Sequence, residues 1–250
     1  MEKNSNKLAY VLPNLFTAAS IFLAVLSIFA SIGHEVHKAV LLIIVSLVCD
    51  GLDGRVARLT HTTSKFGVEF DSLADVIAFG VAPAMLFYFN VGYEFGRYGS
   101  LICAIFIIFG AIRLARFNVT TGTYEPNVFI GLPIPSAAVA ASLSVAMFYD
   151  YSLSAPYGIA IMVFMLLLSF LMVSNVRYPS FKKIQLKKAN ILKVLVLLVF
   201  LLSLIYIKPL EISWAVMMSY VFYGIIRLVY IFISYKMKNS KNNTSEDGSV

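Results

Sequence analysis

Four aspartates fall within 26 residues of a strongly apolar chain: Asp50 and Asp53, then Asp71 and Asp75. The first pair closes the apolar run 39–49, and the second precedes the run 76–90. Acids are expensive in hydrocarbon, so acids inside a membrane segment point to function. On a helix the first pair is spaced i, i+3 and the second i, i+4, so each pair projects from one face. Two antiparallel helices joined by a short turn bring such faces together. Four carboxylates converging on one point repel one another unless cations join them. An all-oxygen donor set suits Mg²⁺, Mn²⁺ or Ca²⁺ rather than zinc, which normally brings histidine or cysteine. Two such ions side by side clamp a phosphate or a pyrophosphate. Gly51, Gly54, Ala57 and Gly67 interleave with the acids. Their missing side chains either let a ligand approach the backbone or let helices pack closely.

The helices that carry these acids must be membrane spans. The 250 residues are 60% hydrophobic and only 13% charged, with a mean hydropathy of +0.84, which lies outside the range of soluble domains. The apolar runs are continuous rather than alternating, which selects a helical bundle over a barrel. At about 20 residues per span the chain holds roughly eight, leaving no room for a soluble domain. We place them near Leu12–Ile32, Val36–Thr60, Phe70–Asn90, Tyr98–Phe117, Ile134–Tyr149, Pro156–Ser174, Ala189–Ile207 and Ile212–Tyr235. The expected fold is therefore all-α, a polytopic membrane bundle. Its parts are a cytoplasmic segment 1–11, a membrane domain 12–183, two further spans in 184–235, and a polar, disordered tail over 236–250.

An even number of spans puts both termini on one side. That side holds 17 of the 20 basic residues, with only Lys38, Arg97 and Lys208 opposite, so it is cytoplasmic. The same bias accounts for the net charge of +7 without nucleic acid as a partner. Cys49 and Cys103 sit in apolar runs without metal-ligand spacing and read as packing residues. The first span is too long for a signal peptide and lacks a cleavage site. Depth follows from two counts: His37 to Asp50 spans roughly 20 Å of helix and Asp75 to Asn90 roughly 22 Å, in a hydrocarbon core of about 30 Å. Both counts set the acids on the order of 10 Å inside the cytoplasmic boundary, within reach of water and of lipid headgroups.

The string Asp50-Gly-Leu-Asp53-Gly54-Arg-Val-Ala57-Arg58, then eight residues, Gly67, three residues, Asp71, three residues and Asp75, resembles the signature of the CDP-alcohol phosphotransferase family. Leu12-Pro13-Asn14-Leu-Phe-Thr17 is similar to that family's opening helix. The segments 110–119, 129–136 and 173–182 resemble its membrane-embedded, phosphatidylserine-forming branch. The resemblance spans residues 10 to 183 and leaves the last two helices without a motif. It implies a multi-pass cell-membrane enzyme, its active site facing the cytoplasm, that takes CDP-diacylglycerol and L-serine, releases CMP, and works among membrane lipids as a homodimer. It implies two divalent cations, Mg²⁺ or Mn²⁺ and possibly Ca²⁺, held by Asp50, Asp53, Asp71 and Asp75. Asp75 would also serve as general base. Asn14, Thr17, Gly54, Ala57, Arg58 and Gly67 would bind the nucleotide lipid.

A serine acceptor carries a carboxylate, an ammonium and a hydroxyl. Arg116 or Arg177 suits the carboxylate, Asn118 suits the ammonium through its amide oxygen, and Arg113 and Lys182 are further candidates. Arg113 and Arg116 have a competing explanation, because basic residues are expected at a cytoplasmic helix end; Arg113 stands about a turn deeper than that requires. Two other readings remain. An acceptor such as glycerol 3-phosphate or an inositol phosphate would bring a phosphate of its own. A cation transporter would place its acids near the bilayer midplane, and the chain has no internal repeat to suggest inverted halves.

Overall fold

In the computed structural model, which describes residues 2–60, 62–120, 128–152, 155–179, 195, 196, 199 and 203–246, apolar helices turn back on one another. In order these are α1 (Glu2–Ile32), α2 (Val36–Leu59), α3 (Lys65–Asp75), a π-helical segment (Val76–Val81) and α4 (Ala82–Asn90). A 3₁₀ turn (Gly92–Phe95) leads to α5 (Arg97–Thr120), β1 (Val128–Ile130), α6 (Ile134–Asp150), α7 (Ala155–Val173), β2 (Arg177–Pro179) and α8 (Pro209–Glu246). Among the described residues, five stretches are long and apolar enough to cross a membrane: Val11–Ile32, Lys65–Asn90, Arg97–Thr120, Pro156–Val173 and Pro209–Arg227. The protein is a multi-pass helical membrane protein. The expected span 189–207 lies mostly outside the described residues.

The seam between α1 and α2 is made of hydroxyls. Ser27 Oγ donates to the Ala39 carbonyl at 2.9 Å, Ser20 and Ser46 share a hydrogen bond of 2.8 Å, and Thr17 Oγ1 donates to Asp53 at 2.7 Å. The partners descend α1 as they climb α2, so the two helices are antiparallel. Between helices in lipid, such side-chain bonds and close packing replace the drive to escape water. α6 is the central helix, with Ala137, Ala138, Ala140, Ala141 and Ala146 all fully buried. Its small side chains let α2, α4, α7 and α8 approach it. At the end remote from the acids, His37 Nε2 pairs with Asp150 Oδ1 at 2.7 Å and fastens the start of α2 to the end of α6.

Three features differ from the expectation. The span 65–90 is not a uniform α-helix but widens into the π-segment directly after Asp75. Pro83 supplies the cause: it has no N–H to give the ladder and its ring crowds the carbonyl four residues back. The neighbouring Ala82 N–H accordingly bonds Ile77 O, five residues back. β1 and β2 pair antiparallel, Val128 with Pro179 and Ile130 with Arg177, adding a short ribbon to a fold expected to be all-α. α8 stays helical to Glu246, through most of the stretch expected as a disordered tail. After Pro209 no proline and only Gly224 interrupt the sequence before Gly248, so nothing in it stops the helix.

Candidate active site

α2 delivers Asp50 and Asp53, and α3 delivers Asp71 and Asp75. Asp50, Asp53 and Asp71 each place a carboxylate oxygen within 4.8 Å of the other two. Asp50 is in hydrogen-bonding contact with both Asp71 and Asp75. Asp53 is 5% exposed; one oxygen is held by Thr17, and the backbone N–H of Gly54 also bonds its carboxylate. Asp75 Oδ1 is buried with no hydrogen-bond partner. Carboxylates in mutual contact with an orphaned acceptor beside them form a site short of positive charge. That donor set fits hard divalent cations.

Beside the acids lies a pocket of about 200 Å³, walled by α1, α2, α3 and the turn between the last two. Asn14, Thr17, Gly54, Ala57, Arg58 and Gly67, the six residues expected around the nucleotide lipid, all line it, together with Asp53 and Asp71. The fit is tight at Gly67, where a Cβ would stand 3.2 Å from Ser64 Oγ and 3.4 Å from Asn14 Oδ1. Gly51, by contrast, faces open space. Thr62, Thr63 and Ser64 also line the pocket, and sequence reasoning had not singled them out. The signal was available: a Thr-Thr-Ser run in a turn between acid-bearing helices offers hydroxyls to a phosphate. Ser64 also caps α3, its Oγ accepting from Gly67 N at 3.0 Å.

The residues expected around the acceptor fall into different environments. Arg113 is 6% exposed, its guanidinium 5.6 Å above the Phe117 ring and its Nε unpartnered. It interacts electrostatically with Asp75. Asn118 donates Nδ2 to Ser72 Oγ at 2.8 Å, tying α5 to α3 between the two acids. Arg116 is already engaged. Its Nη1 donates to Val173 O at 2.7 Å, and its Nη2 donates to Ile130 O, Met172 O and Ser174 O at 3.1 to 3.3 Å. These carbonyls belong to the end of α7 and the end of β1, so the guanidinium caps one and anchors the other. The turn beneath it needs Gly131 at φ 77°, where a Cβ would overlap Met172 O. Arg177 is exposed on β2. Lys182 lies outside the described residues.

An acidic cluster carried by α2 and α3, open to a pocket under the first helix, is the kind of site that can hold a cation and a phosphate together in a membrane protein. The chain belongs to the CDP-alcohol phosphatidyltransferase family, which matches residues 10–173. It is 52% identical over 237 residues to the CDP-diacylglycerol--serine O-phosphatidyltransferase of Helicobacter pylori (strain ATCC 700392 / 26695), covering 94% of this chain and 98% of that relative. The Bacillus subtilis (strain 168) protein of the same name is 34% identical over 172 residues, 69% of this chain and 92% of that relative. The archaetidylserine synthase of Methanothermobacter thermautotrophicus is 38% identical over 170 residues, 67% of this chain and 69% of that relative.

Proposed function

We propose that the protein transfers the phosphatidyl group of CDP-diacylglycerol to the hydroxyl of L-serine, forming phosphatidylserine and CMP at the cytoplasmic face of the cell membrane, as a homodimer. The observation that carries this reading is the meeting of Asp50, Asp53 and Asp71 beside the pocket under α1. The relatives supply the acceptor: the bacterial and archaeal names differ in the lipid and agree on serine.

Divalent cations held by Asp50, Asp53, Asp71 and Asp75 would supply the positive charge that the pyrophosphate needs in order to bind and part. The chain's residues do the rest. Arg58 and the hydroxyls of 62–64 hold phosphate oxygens, while Asn14, Thr17, Gly54, Ala57 and Gly67 shape the wall against which the nucleotide lies. Thr17 fixes the orientation of Asp53. Asp75 Oδ1 takes the proton of the serine hydroxyl as that oxygen attacks the phosphorus bearing the diacylglycerol oxygen, and the bond from that phosphorus to the CMP oxygen breaks. Arg113, buried next to Asp75, provides the cation for the serine carboxylate. Asn118 and Arg177 flank the acceptor, and Arg116 shapes the same side through the carbonyls it holds.

The test is direct. Purified protein in detergent receives CDP-diacylglycerol and a panel of acceptors, with CMP release as the readout. Release should require serine. Release with glycerol 3-phosphate or an inositol phosphate and none with serine overturns the reading.

A further inference from the structure

α8 is fastened to β2 at three points. Gly224 forms a notch for the Tyr178 ring, where any Cβ would overlap the phenol oxygen and Cζ. One turn earlier, Tyr220 packs on the same ring, with centroids 5.3 Å apart and planes tilted by 43°. One turn later, Arg227 Nη1 donates to the Arg177 carbonyl at 2.8 Å. Tyr220, Gly224 and Arg227 stand at i, i+4 and i+7, so one stripe of α8 runs along the strand. Such a fit, glycine against phenol, is more specific than two apolar surfaces meeting in lipid.

What the stripe touches leads back to the acids. Tyr178 is fully buried and its hydroxyl has no hydrogen-bond partner. Desolvation pushes that phenol above the ordinary tyrosine range, so it keeps its proton and remains a donor. Tyr220 interacts electrostatically with Tyr178 on one side and with Arg113 on the other. Arg113 in turn interacts with Asp75. Among the described residues, four buried side-chain polar atoms lack a partner, and three of them, on Asp75, Arg113 and Tyr178, belong to this one chain of neighbours. Buried polar atoms are almost always satisfied, so unpartnered ones gathered in one region mark a place where something polar binds.

We propose that α8 forms part of the acceptor side of the active site, with Gly224 and Tyr220 as positioning residues that set serine recognition through Tyr178 and Arg113. The inference rests on the serine-dependent reading given above. Gly224 keeps Tyr178, and with it β2 and Arg177, seated against the bundle. Tyr220 bridges Tyr178 to Arg113, the cation that interacts with Asp75. A helix that carries no part of the family signature thereby decides how well a small zwitterionic hydroxy acid is held.

The experiment compares steady-state kinetics of the full-length wild type, Gly224→Ala, Tyr178→Ala, and the double variant, each in detergent, with both substrates varied. Gly224→Ala should raise KM for serine by about tenfold or more, with KM for CDP-diacylglycerol moved by less than about twofold. In the Tyr178→Ala background the added methyl meets no ring, so Gly224→Ala should have no further effect on KM for serine. Tyr220→Phe keeps the ring packing and removes only the hydroxyl, and should raise KM for serine about threefold even if Gly224→Ala does not fold. A serine-dependent wild type whose Gly224→Ala and Tyr220→Phe variants leave KM for serine unchanged, or shift both KM values equally, overturns the inference alone. A wild type that releases CMP without serine overturns the serine reading, and this inference with it.

Discussion

Thr17 Oγ1 donates to Asp53 Oδ2 at 2.7 Å, across the seam between α1 and α2, with the two residues only 3% and 5% exposed. The opening helix is therefore part of the acidic site. A hydroxyl that holds one carboxylate oxygen fixes how the group is turned, as residues behind a ligand commonly do. Thr17→Val keeps the shape and removes the donor, leaving a buried acceptor unsatisfied at a cost of about 1 to 3 kcal/mol. The expected result is a lower melting temperature in detergent and about tenfold weaker Mn²⁺-dependent binding of CMP by calorimetry. Thr17→Ser should behave like the wild type; a Thr17→Val protein that does so as well removes this role.

Metal dependence is the first expectation from the approach of Asp50, Asp53 and Asp71 to within 4.8 Å of one another. Activity should vanish with EDTA and return with Mg²⁺ or Mn²⁺, because an anionic pyrophosphate does not settle beside bare carboxylates. Asp50→Asn, Asp53→Asn and Asp71→Asn should each weaken metal-dependent nucleotide binding, a neutral amide being a poor ligand for a hard ion. Full turnover in chelator contradicts the assignment.

Asp75 should separate from the other acids. Asp75→Asn is expected to bind CDP-diacylglycerol and metal nearly as the wild type does, while turnover falls by about 10² or more. Equilibrium binding and CMP release measured on one preparation decide it. If Asp75→Asn loses nucleotide affinity as completely as Asp50→Asn, Asp75 is chiefly a metal ligand.

The two neighbouring arginines should fail in different ways. Arg116 holds four backbone carbonyls, and a lysine cannot span them from one point. Arg116→Lys and Arg116→Ala should both lower the melting temperature, by roughly 3 to 12 °C. Arg113→Gln should instead raise KM for serine by about ten- to a hundredfold, with a smaller change in KM for CDP-diacylglycerol. Equal loss of stability in all three variants contradicts this division.

The clustering of the acids and the pocket beside them were legible because chemistry fixes their spacing: Asp50 to Asp75 lie on two adjoining helices, and a local pattern suffices to find them. Arg116 was less legible. A basic residue at a helix end reads equally as membrane orientation or ligand, and its actual partners, the carbonyls of 130 and 172–174, are ordinary backbone that no side-chain pattern announces. The ribbon escaped for a related reason, since its strands are three residues each and lie far apart in the chain. The role of α8 was hidden because a notch is recognised by what fills it, and Gly224 and Tyr178 are joined only in three dimensions.

The π-segment behind Asp75 acts as a phase shifter. Each residue of an α-helix advances about 100° around the axis, and a π-turn absorbs one residue beyond that count. The rotation of α4 is keyed to the core by Ala82, Ala84, Leu86 and Phe87. The extra residue within 76–81 therefore turns the half of the span bearing Asp71 and Asp75 by about 100° relative to that key. Winding the segment as plain α-helix at its present length would swing both acids off α2, whereas deleting one residue there would restore a plain α-helix with both acids still facing it. The aim of the site is held in the count of a backbone ladder, a quantity no single side chain encodes.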